Sequence, residues 1–367
     1  MEQCVTMEYR KHLGGLDILK IVATIGIVFH HYQQDFNVQF EGYNFNNGAF
    51  YFGYLVELFF MISGFLMRYN DDLKNKNYIL KLTKKVMRIW PMAAISSVFV
   101  IGLGICSKLL LGKWWEEISN SIWNWFVSVF LVFQGNAFKK VYGINNPLWY
   151  LCVLFVCYFI YYFICYKYDK NTLQRICFVI MVLIGSGIIE YGINVPFATV
   201  QNGRGYIGFF IGVILCDICK NSSRRNIMIG SLLYGGLPIL LLIYAYYIVN
   251  TNLRMVLLFV VYPVIVLWAV CLKPVAWLGD NKLVKLLGKS SFEVYVWHYP
   301  CILLIKIAAS YLSIELKHTY VTMVLFALWV EIVAIFIYKF VEVPMTRLVV
   351  TKIEEKMSGN TWQLKEK

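Results

Sequence analysis

Long apolar stretches separated by short polar runs fill the chain from end to end. A helix rising about 1.5 Å per residue needs about 20 mostly apolar residues to cross a bilayer core. Ten stretches meet that measure, at 16–32, 50–67, 89–107, 147–166, 176–194, 204–219, 227–249, 255–272, 290–311 and 320–341. An eleventh, 122–134, is apolar but short and rich in Trp, which prefers the membrane interface, so it predicts a surface-lying or re-entrant helix. The expected architecture is an all-α polytopic membrane protein of about ten transmembrane helices. One integral membrane domain is expected over 1–345, with a short charged tail over 346–367.

Composition agrees. Of the 367 residues 59% are hydrophobic and 15% charged, with mean hydropathy +0.62, against roughly 25% charged residues in a soluble domain. That excludes a soluble enzyme and a disordered regulator, because too little charge is present to cover a core. The net charge of +13 would suit nucleic acid only as a stripe on a soluble face. The basic residues instead lie in runs between apolar stretches, so no nucleic-acid partner is expected. With the N-terminus inside, most of the Lys and Arg fall in inner segments, one loop holding Arg68, Lys74, Lys76, Lys81, Lys84, Lys85 and Arg88. The positive-inside rule then places both termini in the cytoplasm and requires an even number of spans. The first stretch lacks a small-residue cleavage site, so it reads as a retained span. Most of the ten cysteines lie in or beside apolar stretches. Cys216 and Cys219 form a single CxxC with neither a second pair nor a nearby histidine, so a small hydrophobe is set against metal or redox use, and no metal site is expected.

Charges inside a span cost at least about 2.5–3.5 kcal/mol near the bilayer centre, so each is a candidate for function. They are Asp17 and Lys20 in the first stretch, Glu57 in the second, Glu190, Arg204 and Glu331, with His30, His31 and His298 as titratable companions. Lys20 and His31 are eleven residues apart, a spacing that returns to nearly the same helix face and separates them by roughly 16 Å along it. That face carries a cation at the inner end and a base toward the outer end. The alternatives are a snorkelling Lys20 and an interfacial His31 beside His30 and Tyr32. Glu57 needs a partner, and His31 at similar depth is one: a carboxylate that orients an imidazole is a recurring device of general-base catalysis. A purely structural hydrogen bond between helices is the other reading. Lys81, Lys84, Lys85 and Arg88 recur at three- and four-residue steps and so share one helix face. It suits a phosphate-rich ligand, or anionic lipid headgroups.

The order of motifs resembles the membrane-bound acyltransferase-3 family of bacterial O-acyltransferases. Gly-Leu-Asp-Ile-Leu-Lys at 15–20 followed by His31 resembles the family's basic residue, ten positions and histidine. Glu57 to Phe65 resembles its acidic-Leu-Phe-Phe-x-x-Ser-Gly-Phe motif. Lys85 and Arg88 resemble its paired basic residues, and Pro147-Leu148-Trp149-Tyr150-Leu151 its Trp-containing fourth span. Leu287 to Pro300 resembles its Gly-x-x-Ser-aromatic-x-x-Tyr-Leu-Trp-His motif, and Glu342-Val343-Pro344 its final Glu-x-Pro. Lysine replaces the usual arginine at positions 20 and 85, and Cys-Val-Leu-Phe follows where the family has an acidic residue after the fourth-span Trp. The doubled histidine leaves His30 as the alternative to His31, and gapless spacing from Lys20 selects His31.

The resemblance implies transfer of an acetyl or succinyl group from cytoplasmic acyl-CoA to a hydroxyl of an envelope glycan or lipid-linked sugar, in a bacterial inner or plasma membrane. It implies His31 as base oriented by Glu57, or as the carrier of an acyl-histidine. Lys20, Lys85 and Arg88 would hold acyl-CoA, and Arg204 would bind acceptor or donor or anchor its helix. Trp149, Tyr150, Trp297 and His298 would line the acceptor path or simply pack. Ser63-Gly64 would let helices approach closely. Glu190 and Glu331 have no assignment. A transporter or exporter of a glycan or small metabolite is the competing class, although no internal repeat is present. A family member that only scaffolds envelope assembly is the third.

Overall fold

The computed structural model describes residues 12–41, 44–46, 51–71, 77–138, 141–234 and 253–363, without the side chains at 354 and 356–363. Of the described residues 80% are helical, and none lies in a strand. The helices are α1 (Gly14–Asp35), α2 (Leu55–Asn70), α3 (Tyr78–Leu111), α4 (Ile122–Val129), α5 (Trp149–Lys167), α6 (Asn171–Glu190) and α7 (Val200–Asn221). A helix over 224–234 is α8. Then follow α9 (Leu253–Val256), α10 (Tyr262–Cys271), α11 (Lys273–Gly279), α12 (Lys282–Tyr311), α13 (Tyr320–Ile337) and α14 (Val343–Gln363). π-Helical turns at Leu257–Val261 and Tyr338–Glu342 join α9 to α10 and α13 to α14.

Nine helices among the described residues are long and apolar enough to cross a membrane, and they account for nine of the ten expected spans. The tenth, 227–249, lies largely outside the described residues, as do Lys74 and Lys76. The short Trp-rich stretch forms α4, whose eight residues are too few to span. Several helices run past the expected ends. The basic run from Lys81 to Arg88 is the first part of α3, because its Lys, Leu, Met and Arg residues are good helix formers. Asn77 caps that start by accepting from Leu80 N at 3.1 Å, and Gly112, at φ 71°, ends the helix. The expected tail likewise continues as helix, through the π-turn into α14.

The chain forms two compact units. The first comprises α1, α2, α6 to α11 and the first turns of α12; the second comprises α3 to α5, the rest of α12, α13 and α14. In the first unit α2 packs along α7, and α6 lines the other side of α7. The α2–α7 approach is backbone to backbone: a Cβ on Gly64 would fall on the Phe209 carbonyl, and one on Gly212 on the Met61 carbonyl. Ser63-Gly64 therefore does the close-packing work expected of it, against the Gly208-to-Gly212 stretch of α7. Gly64→Val should force the two helices apart, costing about 1–3 kcal/mol or more. The thermal midpoint of the detergent-purified protein should fall, and an unchanged midpoint would contradict this packing.

The same two helices are clasped at their C-terminal ends. Arg68, read from sequence as a loop cation, is 2% exposed and bonds both oxygens of Asp217, Nε at 2.7 Å and Nη2 at 3.3 Å. Its Nη1 donates to Gln174 Oε1 at 3.1 Å, and Arg175 reaches Asp217 from the rim of α6 at 3.2 Å. Arg68→Ala should therefore destabilise by about 3–5 kcal/mol, since it strips a buried carboxylate of its main partner. Arg175→Ala, at the exposed edge, should cost under about 1 kcal/mol, and comparable losses in thermal midpoint would refute the asymmetry. Cys216 and Cys219 are free thiols on the buried face of α7.

In the second unit Val100, Leu103, Ile118, Ile144, Tyr299, Leu303 and Ile307 form an apolar core, flanked by Trp114, Trp115 and Trp125. The Trp90 indole donates to Val129 O at 2.9 Å, tying α4 to α3.

Candidate functional site

The first unit gathers its titratable side chains where α1, α2, α7 and α9 meet the segment after α1. His30 and His31 end α1 one residue apart, and so leave the helix in different directions. His30 is 3% exposed, its Nδ1 lies 3.2 Å from the Phe45 carbonyl, and its ring packs edge-on against Tyr51 at 4.7 Å. Gln33 sets up that contact, taking the Phe45 amide on its Oε1 at 2.6 Å while its Nε2 donates to Asn44 at 3.1 Å. Thus His30 is a packed, internally bonded histidine.

His31 has its side chain 18% exposed, and its Nδ1 faces Asp35 Oδ2 at 3.6 Å, one helical turn on. The carboxylate placed against His31 is therefore Asp35. Glu57, expected to orient that histidine, does something else, which corrects the sequence-based pairing. It is 0% exposed, and Arg204 takes both its oxygens, Nε to Oε1 at 2.7 Å and Nη2 to Oε2 at 2.9 Å. Arg204 Nη2 also donates to Gly53 O at 2.9 Å. The physical reason is the α2–α7 approach: Gly208 lies against the Glu57 backbone, so the arginine one turn earlier on α7 meets the carboxylate directly. A second guanidinium, Arg254 of α9, stands 3.6 Å from Glu57 Oε1 and over the Tyr54 ring at 5.1 Å. The Tyr262 hydroxyl donates to Tyr54 O at 3.0 Å and holds that turn in place.

Lys20 belongs to the same unit but to another cluster. Its ammonium bonds Asp17 at 2.8 Å, and the other oxygen of Asp17 faces His12 Nε2 at 3.0 Å. Gly288, the glycine of the Gly-x-x-Ser stretch, abuts Asp17 with no room for a Cβ.

The second unit holds four of the motifs, in two pairs. Tyr150 packs on Tyr295 with ring centroids 5.4 Å apart, and the Tyr295 hydroxyl donates to Pro147 O. Asn145 Nδ2 donates to Ser96 Oγ at 3.0 Å and Val296 O at 3.1 Å. His298 is buried, its Nδ1 bonded to the Tyr295 carbonyl of its own helix at 2.7 Å, and Trp297 packs edge-on against Phe99 at 5.4 Å. Trp149 opens α5 on the Asn146–Leu148 turn. Arg88, exposed on α3 beside Lys85, acts electrostatically on Glu342, Tyr158 and Tyr338. The paired basic motif and the Glu-x-Pro glutamate are thus neighbours.

Sequence reasoning missed Asp35, Tyr51, Arg254 and Glu293. Asp35 carried a signal, since it lies one turn beyond His31. Arg254 precedes the 255–272 stretch by one residue and reads as a flank. Glu293 lies within 290–311 and meets the same charge-in-a-span criterion as Glu57. It is 0% exposed, with the Trp297 indole and the Glu342 carboxylate as its polar neighbours.

Spanning helices that close around charged side chains define a multi-pass membrane protein with polar chemistry inside its bundle. A family model described as an acyltransferase domain matches residues 13–339, and the chain belongs to this family, acyltransferase-3. It is therefore a membrane acyltransferase. No curated protein and no solved structure matches the chain.

Proposed function

We propose that the protein transfers an acetyl or succinyl group from acyl-CoA to a hydroxyl of an envelope glycan or lipid-linked saccharide, in a bacterial inner or plasma membrane with both termini in the cytoplasm. The observation that carries this reading, given the family, is a histidine with a carboxylate facing one ring nitrogen, in the same apolar unit as the Glu57–Arg204 pair. His31 acts as general base, and Asp35 positions its ring. As the acceptor oxygen attacks the thioester carbonyl, its proton passes to the far imidazole nitrogen. The new C–O bond forms, the C–S bond breaks, and the CoA thiolate leaves with that proton. Contacts such as the 3.6 Å between His31 and Asp35 commonly tighten once a substrate is bound. Arg204 supplies positive charge for the developing oxyanion, and Glu57 fixes its guanidinium. The bundle keeps water from the thioester.

Lys85 and Arg88 bind the phosphates of CoA, Arg88 through a guanidinium fork and Lys85 as a point charge. The ammonium of Lys20, committed to Asp17, contributes to position more than to binding. Trp149, Tyr150, Trp297 and His298 line the acceptor path.

The test is release of free CoA thiol by membranes containing the protein, measured against acyl-CoA concentration. Wild type should release CoA with saturation, and Arg88→Ala should raise the half-saturating concentration about tenfold or more, the loss of one charge-assisted hydrogen bond. An unchanged half-saturating concentration contradicts the CoA site. Absence of any acyl-CoA-dependent release in wild type, with transport of a glycan or metabolite instead, favours the transporter.

A further inference from the structure

Arg204 and Arg254 converge on a single carboxylate. Arg204 satisfies Glu57 alone, bonding both oxygens at 2.7 and 2.9 Å. Arg254 stands off at 3.6 Å, with its Nε buried and without a hydrogen-bond acceptor among the described residues. A guanidinium carries five N–H donors and no acceptor, and a buried charged donor left unmade is costly. Nor does Asp35 balance it, since that carboxylate faces His31. Arg254 is thus a cation whose charge the protein only partly answers, and with its side chain 25% exposed it is open to a ligand.

Its position relative to the histidines gives the ligand's chemistry. Contacts of 4.7, 5.0 and 5.1 Å link the His30 ring to Tyr51, Tyr51 to Tyr54, and Tyr54 to the Arg254 guanidinium. A run of edge-on ring contacts therefore connects the histidine pair to this cation, and a polar substrate that reaches from the histidine end to Arg254 can present its charged substituent there.

We propose that Arg254 is the subsite for an oxyanion, a carboxylate or phosphate, carried by a substrate of the acyl transfer. The oxyanion replaces the loose contact with Glu57 and pairs with the guanidinium fork. Two sources share this chemistry, an acidic saccharide acceptor and the free carboxylate of a dicarboxylic acyl group. The assignment rests on the acyltransfer reading above for its meaning, but its test does not require turnover.

Thermal unfolding of the full-length protein in detergent is followed against glucuronate, glucose and succinate, for wild type, Arg254→Gln, Arg254→Lys and His31→Ala. Glucuronate or succinate should raise the midpoint of wild type with saturation, and glucose should not. Arg254→Gln should weaken that half-saturation about tenfold or more, Arg254→Lys should weaken it less, and His31→Ala should leave it intact. Loss confined to glucuronate identifies an acidic acceptor; loss confined to succinate identifies the acyl group. The proposal is overturned if Arg254→Gln or Arg254→Lys binds both anions as wild type does, if glucose protects equally, or if no anion protects wild type. Should Arg254→Gln not fold, the intermediate loss in Arg254→Lys decides. Retained anion binding in a protein that consumes no acyl-CoA would sink the acyltransfer reading while leaving the subsite standing. Normal transfer with anion binding indifferent to Arg254 would do the reverse.

Discussion

His31→Ala should slow acyl transfer by about 10²–10⁴-fold, the contribution of an aligned general base to attack by a hydroxyl. The chain should remain folded, because the imidazole is partly exposed at the end of α1 and its carboxylate partner is a helical turn away. His30→Ala should behave differently. That ring fills space between Tyr51 and His31 and faces the Phe45 carbonyl, so its removal should lower stability before it lowers chemistry. Asp35→Asn keeps the shape beside His31 and removes the charge. It should reduce kcat for CoA release, by less than His31→Ala does, with little change in the KM for acyl-CoA. A rise in KM with kcat intact would make Asp35 part of the binding surface instead of the positioning residue.

Glu57→Ala should destabilise the protein as strongly as Arg68→Ala. The carboxylate is fully buried and faces two guanidinium groups beside a helix interface that has no slack, so deletion leaves two partly buried like charges unanswered. Breaking a buried pair this way costs about 3–5 kcal/mol, and the thermal midpoint in detergent should fall accordingly. Arg204→Ala alone should also destabilise, by orphaning Glu57. The double variant should be less damaged than the sum, with a coupling of about 0.5–3 kcal/mol, as expected of contacting residues. Strict additivity would show that the two helices are held by the glycine contacts alone.

The helical architecture was readable because lipid imposes it: length and apolarity suffice to mark a span, and α1, α2, α5 and α13 lie where the hydrophobic pattern places them. Helix ends were not readable, because a run such as Lys81 to Arg88 is polar enough to look like a loop yet composed of good helix formers. At the site, the pattern singled out the residues but not their partners. Glu57 and Arg204 were recognisable as expensive inside a bilayer, whereas Arg68 read as a loop cation. Which carboxylate each cation meets depends on the depth at which α7 slides along α2, and glycines without side chains set that depth. Asp35 was legible in principle from its spacing to His31, whereas Arg254 became visible only once α9 was placed beside Tyr54.

The role given to His31 is tested most directly by mass spectrometry of ester-linked acyl groups on the surface glycans of matched cells. These would carry no protein, wild type, His30→Ala or His31→Ala, with the three proteins expressed at equal levels. Wild type and His30→Ala should add acyl esters that are missing from the empty cells, and His31→Ala should not. Esters undiminished in His31→Ala, at the same protein level, would contradict the assignment of His31 as the base.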